Sequence, residues 1–468
     1  MIPVINAKHL LINALKETFF SKPSGNIKAN IRCGIKKPEQ NLCHYDVMSG
    51  TIIVRRAAAF SYRLDTQQLL DSLHECLKEF PYFCGRLKQY EDHWSLDGND
   101  AGLSLSIVQH DSAMPAYGYQ HTMKKQMRGL CEPLAFSSGN KDKALMGIRI
   151  THYKDGTVIG ISNSHVLMDG TGAWQFLQRW AEHYRNELKP AHFTQDRSPL
   201  LFLEEDIQQA TPSPYYSSIR ISKLALAAFF ARCIASFATG KTTVLHLPAA
   251  TIANEKQRIN DVLPEGQWVS TQDVAMALII EPLLSSTKQS ELIFGTLYNF
   301  RHLIELGLSP QYIGNAATAR EFILNQNSNA KTAATTIRRL AGTLLTKHVL
   351  DDSKYMQSTI APHEGMRHHP EFMTRQFTNG VLLNNYTRFP MYQVDFGGGT
   401  AIWADYPEMT LNRCIALLPD PKGDGVAAHV TLPRKELEKF HAIITRQHKW
   451  KKQHGKTISK PRNQAAAC

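Results

Sequence analysis

Strand-like and helix-like segments alternate on both sides of a proline-rich stretch, and this alternation restricts the fold more than any other feature of the chain. Upstream, β-branched runs lead into an amphipathic segment that ends near residue 188. Downstream, TVLHLP (243–248) and ELIFGTLYNF (291–300) are typical of strands, on either side of a helical segment, STQDVAMALIIEPLL (270–284). The stretch between has few periodic residues and four prolines, Pro190, Pro199, Pro212 and Pro214. We therefore predict an α/β protein of two halves with a cleft between them.

The length of the chain supports the same division. A protein of 468 residues exceeds the size at which single hydrophobic cores usually stop growing. We expect an N-terminal domain at 1–190, a crossover at 191–240, a C-terminal domain at 241–446 and a basic tail at 447–468. With 43% hydrophobic and 20% charged residues and no low-complexity tract, the composition is typical of a globular protein.

Nothing in the sequence predicts secretion or a transmembrane span. The N-terminus lacks a basic region followed by a continuous apolar run. The most apolar stretch, LALAAFFARCIASFA (224–238), contains Arg232 and is shorter than the roughly 20 residues that cross a bilayer, so it predicts a buried or interfacial helix. Eight cysteines without metal-like spacing indicate reduced thiols in the cytoplasm and no metal site: Cys33, Cys43, Cys76, Cys84, Cys131, Cys233, Cys414 and Cys468.

The charge balance favours an anionic partner without choosing one. The formal net charge is +12, which a phosphorylated cofactor, a membrane lipid or a nucleic acid would each satisfy. No basic module interleaved with aromatic residues is present, so we expect no nucleic-acid binding. Between Arg446 and Arg462 the chain carries seven Lys or Arg and no acid. We interpret this segment as a solvated tail; the alternative is weak contact with an anionic membrane surface.

The segment SNSHVLMDGTG (162–172) contains the leading candidate for chemistry, His165. Its spacing to Asp169 is not diagnostic, because three further pairs share it: His93 with Asp97, His192 with Asp196, and His348 with Asp352. Those pairs lie in a turn-rich stretch, in a proline-bounded linker and after the end of a helical segment. We expect surface or capping roles for them.

The surroundings of His165 differ from those of the other pairs. Two β-branched runs, ALMGIRITHY (144–153) and TVIGISNS (157–164), flank the turn signal KDG and predict a hairpin. Apolar residues from 173 to 188 then recur at steps of three and four, which predicts an amphipathic helix. His165 is therefore expected at the end of a buried strand, where a rigid element fixes a reactive side chain and the following loop leaves it accessible.

Several stretches, in this order along the chain, resemble segments of the BAHD acyltransferases, which transfer acyl groups from coenzyme A thioesters to alcohols or amines. Together they cover about residues 40 to 440, and their shared order carries the resemblance. They are FPYFCGRLK (80–88), SHVLMDGTGAWQFLQRWA (164–181), STQDVAMALI (270–279), YNFRHLIELGLSPQYIGNA (298–316), NNYTRFPMYQVDFGGG (384–399) and GDGVAAHVTLPRKELEKF (423–440).

The resemblance implies a fold and a reaction. The fold would be two similar chloramphenicol-acetyltransferase-like domains, with mixed sheets flanked by helices and an active-site channel at their interface. Acyl-coenzyme A would be a co-substrate rather than a permanently bound cofactor, and the protein would be a monomer. Neutral His165 would remove the proton of an acceptor hydroxyl or amine, with no acyl-enzyme, and imidazole suits this task because its ordinary pKa is near 6.5.

The resemblance also implies structural roles for three residues near the base. Asp169 would turn away from His165 and pair with Arg301, because a planar guanidinium can bind a carboxylate through two hydrogen bonds. That pair would pin the loop that carries His165. Gly170 would let the loop turn tightly beside the cleft.

Two departures from the family pattern concern the binding of substrates. In the DFGWG signature the tryptophan is replaced by Gly398, while Asp395, Phe396, Gly397 and Gly399 are retained. Losing a large ring is expected to loosen that loop and to affect coenzyme A affinity. Tyr386 stands where plant members often carry a tryptophan that lines the acceptor pocket, so Asn384 and Tyr386 are the acceptor-pocket candidates.

Two alternative functions stay open on the sequence. Condensation domains and wax-ester synthases share a related motif, usually with a second histidine just before the first, where this chain has Ser164. A catalytically impaired protein of the same fold could instead bind a ligand or a membrane. The retained His165, Asp169 and Arg301 favour an enzyme, and Gly398 favours the impaired protein.

Overall fold

The computed structural model describes residues 25–50, 52–115, 128–134, 142–406 and 411–454. The strands are β1 (Gly25–Ile31), β2 (Lys37–Asn41), β3 (Ile53–Phe60), β4 (Arg86–Gln89), β5 (Trp94–Gly98), β6 (Leu103–Gln109), β7 (Met146–His152), β8 (Thr157–Ser164), β9 (Ile219–Arg220), β10 (Lys241–Pro248), β11 (Glu291–Asn299), β12 (Ala317–Asn325), β13 (His368–His369), β14 (Gly380–Asn385), β15 (Trp403–Asp405), β16 (Cys414–Pro419) and β17 (Gly425–Leu432). The α-helices are α1 (His44–Ser49), α2 (Thr66–Glu79), α3 (Gly170–Arg185), α4 (Glu204–Ile207), α5 (Lys223–Thr239), α6 (Ala249–Asn260), α7 (Thr271–Ser286), α8 (Ala330–Ala341), α9 (Thr346–Thr359), α10 (Glu371–Thr374) and α11 (Arg434–His454).

Two six-stranded mixed sheets form the framework. The first has the order β1-β6-β7-β8-β3-β15 and the second the order β10-β17-β16-β14-β11-β12. Most neighbours are antiparallel, but β6 runs parallel to β7, and β14 runs parallel to both β11 and β16. The predicted α/β architecture of two sheet-rich domains is therefore confirmed. Smaller sheets, β2-β5-β4 and β13-β9, accompany them.

One segment of the C-terminal half crosses between the two sheets. The chain leaves the second sheet after β14, contributes β15 to the first sheet beside β3, and returns to the second sheet as β16. The range predicted as the C-terminal domain thus supplies an edge strand to the N-terminal sheet. The boundaries at 190, 240 and 446 stay predictions.

The hairpin and helix predicted around His165 are present. β7 and β8 pair antiparallel, and all eight residues of β8 are buried. α3 begins earlier and ends earlier than predicted, because the Asp169 side chain caps it by accepting from the Gly172 N–H, and because Asn186 ends it in a left-handed conformation at φ 54°. Trp180 of α3 is completely buried, and its indole N–H donates to the Leu69 carbonyl of α2.

The expectation that the His348 and Asp352 pair follows a helical segment is wrong. Both residues lie within α9, because α8 ends at Ala341 and a new helix begins at Thr346. Asp352 is buried, and its carboxylate lies 3.3 Å from Arg320. A structural ion pair therefore accounts for this aspartate.

The apolar stretch before β10 is helical, as predicted, and it is exposed rather than buried. Most of the described side chains of α5 are exposed, and Leu224 is 81% exposed. None of the helices in the described part of the chain combines the length and the apolar character that a membrane crossing needs. Residues 447–454 of the predicted basic tail belong to α11, whereas residues 455–468 and the first 24 residues lie outside the described residues.

Candidate active site

His165 lies directly after β8, at the edge of a completely buried strand. Its backbone N–H donates to the Ile52 carbonyl at 2.8 Å, which extends the β3-β8 ladder by one step. His165 itself is half-buried, so the residue keeps surface that a substrate can reach. A rigid strand therefore positions the imidazole, as the sequence predicted, and leaves it accessible.

Asn315 fixes the tautomer of the neutral imidazole. Its side-chain nitrogen donates to Asp46 Oδ1 at 2.6 Å and to the His165 carbonyl at 2.7 Å. The amide oxygen is thereby directed to His165 Nδ1, at 2.8 Å. An amide oxygen only accepts, so Nδ1 must carry the proton, and the lone pair of a neutral ring lies on Nε2. Nε2 is the atom available to act as a base.

A buried ion pair between Asp46 and Arg197 holds Asn315 in place. Asp46 and Arg197 are both completely buried, and Arg197 Nε lies 3.3 Å from Asp46 Oδ2. Arg197 Nη2 also donates to the Leu167 carbonyl at 3.0 Å, within the loop that follows His165. Sequence reasoning did not identify Asp46 or Arg197, and it gave Asn315 no role. Separations of more than 100 residues leave no local pattern that could have revealed this network.

Burial lowers the pKa of His165 below its ordinary value of 6.5, and the charge of Arg56 acts in the same direction. Asp169 and the hydrogen bond from Asn315 oppose this shift without overcoming it. The imidazole is therefore neutral at pH 7, which is the state a general base requires.

Asp169 points away from the imidazole and binds Arg301. Arg301 Nη1 donates to Asp169 Oδ2 at 2.7 Å and Nη2 donates to Oδ1 at 3.0 Å. The same carboxylate accepts from the backbone N–H groups of Gly172 and Ala316. Burial acts to raise the pKa of Asp169, but Arg301 outweighs it and holds the pKa below its ordinary value. These contacts account for both oxygens, so the carboxylate does not form a dyad with His165.

Three aromatic rings come from the segment between β14 and β16, which crosses from one sheet to the other. They lie near the loop that carries His165. Tyr386 stacks between Phe389 and Tyr406, with ring centroids 4.9 Å away on each side. A Cβ on Gly170 would lie 2.6 Å from the Phe389 ring, so the absence of a side chain at Gly170 admits this stack. The structure thus brings one acceptor-pocket candidate, Tyr386, to the loop that carries His165.

Asn384, the other acceptor-pocket candidate, lies on β14 opposite Ala416. It is buried, and its Oδ1 has no hydrogen-bond partner among the described residues. A buried amide oxygen of this kind is a suitable acceptor for a donor group on a ligand.

The signature loop is held by its aspartate and its phenylalanine. Asp395 Oδ1 accepts from the Gly397 N–H at 2.7 Å and from the Gly399 N–H at 3.1 Å. Gly397 and Gly399 adopt φ of 103° and 113°, conformations that strongly favour glycine. Phe396 is buried among three rings, with centroids 5.3 Å from Phe60, 5.6 Å from Trp180 and 5.4 Å from Tyr184.

Tyr62 occupies the space beside Gly398. A Cβ on Gly398 would lie 2.7 Å from the Tyr62 ring, and the Tyr62 hydroxyl donates to the Gly399 carbonyl at 2.9 Å. An aromatic ring from another part of the chain therefore packs at the position where the signature has its tryptophan.

One group of side chains has metal-ligand chemistry away from this site. The sulfur atoms of Cys33 and Cys84 and a carboxylate oxygen of Asp100 lie within 4.8 Å of one another. The two Asp100 oxygens accept from the backbone N–H groups of Cys33 and Gly34, at 2.9 and 3.0 Å. These bonds close the loop between β1 and β2, and they explain why the aspartate is there.

The fold and the site together define a class of transferase. Two mixed sheets carry a neutral histidine at a strand end, and an HxxxDG loop is pinned by a distant arginine. Residues 40–445 match the model of the Transferase family, and the chain belongs to this family, the BAHD acyltransferases.

Individual relatives are distant but cover almost the whole chain. Akuammiline synthase 1 of Alstonia scholaris is 25% identical over 452 residues, which are 92% of this chain and 96% of that protein. The crystal structure of vinorine synthase aligns with a TM-score of 0.66 at 17% identity, covering 89% of this chain and 96% of the other. TRI101 of F. graminearum, complexed with coenzyme A and T-2 mycotoxin, gives a TM-score of 0.65 at 14% identity, with 87% and 97% covered. The resemblance and fold predicted from the sequence are confirmed.

Replacing Arg301 with methionine should lower the free energy of unfolding by about 3–5 kcal/mol, because the Asp169 carboxylate is left buried without its partner. Urea unfolding measures this loss. The pKa of Asp169 is lowered in the folded protein, so the pair stabilises the fold above the unfolded pKa of about 3.9. The stabilisation from the pair is lost as the pH falls through the pKa of Asp169 in the folded protein. The difference in unfolding free energy between Arg301→Met and the wild type should therefore become smaller in that pH range.

The matched control is Arg434→Met, which removes an arginine from an exposed pair with Glu438. Its loss should stay below about 1 kcal/mol. If Arg301→Met and Arg434→Met lose the same free energy of unfolding, the buried pair of Asp169 and Arg301 does not hold the loop in place.

Proposed function

We propose that the protein transfers an acyl group from an acyl-coenzyme A to the hydroxyl or amine of a small-molecule acceptor, with His165 as the general base. The observation that carries the proposal is the bond between His165 Nδ1 and Asn315 Oδ1, which leaves Nε2 as the basic atom of a neutral ring. The family membership and the coenzyme A bound to TRI101 support acyl-coenzyme A as co-substrate.

The reaction would proceed without an acyl-enzyme. Nε2 accepts the proton of the acceptor O–H or N–H as that oxygen or nitrogen attacks the thioester carbonyl carbon. The tetrahedral intermediate then collapses, the carbon–sulfur bond breaks, and the departing thiolate takes the proton from the imidazolium. The ring ends neutral, so each turnover restores the starting state.

The hydrogen bonds and the ion pair around His165 serve this reaction because they keep the imidazole from reorienting. Asn315 holds Nδ1 while Asp169 and Arg301 hold the other end of the loop. Because the base must lie within hydrogen-bond reach of the proton it removes, a small displacement of the imidazole costs rate. We assign Asp169, Gly170 and Arg301 to architecture rather than to chemistry.

Asn384 and Tyr386 would contact the acceptor, and the loop of Asp395, Phe396, Gly397 and Gly399 would support the donor site. We further propose that the protein acts as a monomer in the cytoplasm. Seven of its cysteines lie in the described residues and all seven are free, which fits a reducing compartment.

His165→Ala should lower kcat/KM for acyl transfer at least about a hundredfold, the lower end of the range for a positioned general base. In the wild type, activity should fall as the pH drops through the His165 pKa, and the midpoint should lie below the ordinary value of 6.5. Steady-state assays of free coenzyme A release across pH measure both effects.

His93→Ala is the matched control, since His93 has the same spacing to an aspartate and lies on the surface beside Asp92. It should leave turnover unchanged. A loss of less than tenfold in His165→Ala would refute the base role.

Acyl-coenzyme A donors should raise the thermal unfolding temperature, because a ligand at a hundred times its Kd stabilises the folded state by about 2.7 kcal/mol. A panel of acetyl-, malonyl- and benzoyl-coenzyme A would identify the donor class. Tyr62→Ala should weaken these shifts, since Tyr62 packs on Gly398 in the signature loop. Wild-type protein that responds to no donor would contradict the donor assignment.

A further inference from the structure

Arg56 is a buried cation without a charged partner. It lies on β3 and is 1% exposed. Its Nη1 donates to the Asn163 side-chain oxygen at 2.9 Å, while Nε and Nη2 make no hydrogen bond to any described residue. Within the same described residues, no carboxylate forms an ion pair with it. A guanidinium stays protonated under these conditions, so a positive charge is held inside the protein.

The side chain of Arg56 faces the active site. In the β3-β8 ladder Arg56 lies opposite Ile161 and Val54 lies opposite Asn163. Opposed residues of an antiparallel pair project to the same face and side chains alternate along each strand, so Arg56 shares a face with Asn163 and with His165 beyond it. The charge of Arg56 is also one of the causes that lower the pKa of His165, after burial.

The ring of Tyr406 lies beside the guanidinium. Its central carbon lies 5.9 Å from the centroid of the Tyr406 ring, and Tyr406 stacks on Tyr386. The Tyr406 hydroxyl accepts from the Trp174 indole N–H at 2.8 Å. A desolvated cation over an aromatic face gains about 2 kcal/mol or somewhat more, whereas burying an unpaired ion costs several kcal/mol. The contacts with Asn163 and Tyr406 therefore offset only part of the cost of burying this charge, and no described carboxylate neutralises it.

We propose that the Arg56 guanidinium binds a carboxylate carried by one of the two substrates, either on the acyl group or on the acceptor. Nε–H and Nη2–H point outward along the same edge of the planar guanidinium and match the two oxygens of a carboxylate. This proposal rests on the proposed function and specifies its substrate class as acidic.

The acyl-group arm of the test compares malonyl-coenzyme A with isovaleryl-coenzyme A, which has the same branching and no charge. The acceptor arm compares 3-hydroxybenzoate with its methyl ester, and 3-hydroxybutyrate with its methyl ester, each with coenzyme A present. Calorimetric titration of wild type, Arg56→Lys and Arg56→Met gives Kd for every probe. In one of the two arms, the wild type should bind the acid at least tenfold more tightly than the neutral analogue. Arg56→Lys should keep part of this preference for the acid. Arg56→Met should lose the preference.

Equal binding of acid and neutral analogue to the wild type in both arms overturns the proposal, even if the variants fail to fold. A preference for the acid that survives in a folded Arg56→Met also overturns it. If acyl-coenzyme A donors bind and turn over but no acid is preferred, only this inference fails. If no donor binds, the proposed function fails with it.

A separate observation concerns α5, whose outer face is apolar and uncovered by any described residue. Leu226, Phe229, Cys233 and Ser236 recur at steps of three and four and form the inner stripe. Phe229 packs on His369 and Phe377, with ring centroids 5.6 and 5.7 Å away. The outer face carries Leu224, Phe230, Ile234 and the alanines at 227, 228 and 231, all of them exposed.

The charged residues of the sequence segment that contains this helix have one sign. No acidic residue occurs from 207 to 254, while Lys223, Arg232 and Lys241 are exposed. An apolar helix face with a basic rim is typical of helices that lie in the interface of a membrane, where the apolar side chains enter the lipid and the cations approach anionic headgroups. We infer that α5 docks the protein on an anionic phospholipid surface.

Sedimentation with phosphatidylcholine vesicles, with and without phosphatidylserine, tests this. Full-length protein should sediment with the phosphatidylserine vesicles, and the double variant Leu224→Ser/Ile234→Ser should lower the bound fraction at least fivefold. Val262→Ser/Ile323→Ser is the matched control, because both side chains are comparably exposed, at 58% and 57%, outside α5. It should bind like the wild type.

Equal binding of the two double variants overturns the inference. A second result would also overturn the inference: the Leu224→Ser/Ile234→Ser variant binds lipid like the wild type but elutes at a different size-exclusion volume. In that case the outer face of α5 pairs with a second copy of the chain. Deletion of residues 455–468 should leave vesicle binding intact; complete loss would assign the membrane contact to the basic tail instead.

Discussion

A buried carboxylate holds each end of the loop that carries His165. At the first end, Asp46 orients Asn315, and Asn315 contacts both the imidazole and the backbone of His165. At the other end, Asp169 binds Arg301 and caps α3. Buried carboxylates are costly to desolvate unless they are paired, and both of these are paired with arginines from elsewhere in the chain. The geometry of the base therefore exists only where these distant segments have assembled.

That dependence explains which parts of the site could be predicted from the sequence. The hairpin, α3 and the position of His165 follow from local patterns: β-branched runs, turn residues and apolar residues that recur at steps of three and four. Arg301 came from the resemblance, because the YNFRHLIELGLSPQYIGNA segment has an arginine at the family position. Asp46 and Arg197 could not be found, since their contacts join residues 151 positions apart and neither carries a local motif. The three-residue β15 is likewise too short for any periodicity to predict it.

The same limits apply to α5 and to the signature loop. α5 carries apolar residues on both its inner stripe and its outer face, so its sequence pattern does not distinguish a core position from an interface, and the sequence predicted the helix and left its environment open. At Gly398 the sequence showed a missing ring, and only the structure shows the Tyr62 ring beside it. In each case the deciding fact is a contact between segments far apart in the sequence, and composition cannot supply it.

If an acidic substrate binds Arg56 as proposed, the charge on Arg56 would couple substrate binding to the strength of the base, although burial is the larger cause of the lowered pKa of His165. While that charge is uncompensated, it acts with burial to keep the pKa of His165 low, and the ring stays neutral but is a weaker base. A carboxylate bound to Arg56 would neutralise the charge and remove its effect, so the pKa of His165 would rise toward the value at which proton abstraction is most favourable near neutral pH. The base would then be strongest when an acidic substrate is in place and weaker when the site holds none. Under this proposal the buried cation would have a functional role, because the electrostatic cost of burying it would favour binding of the group that completes the reaction complex.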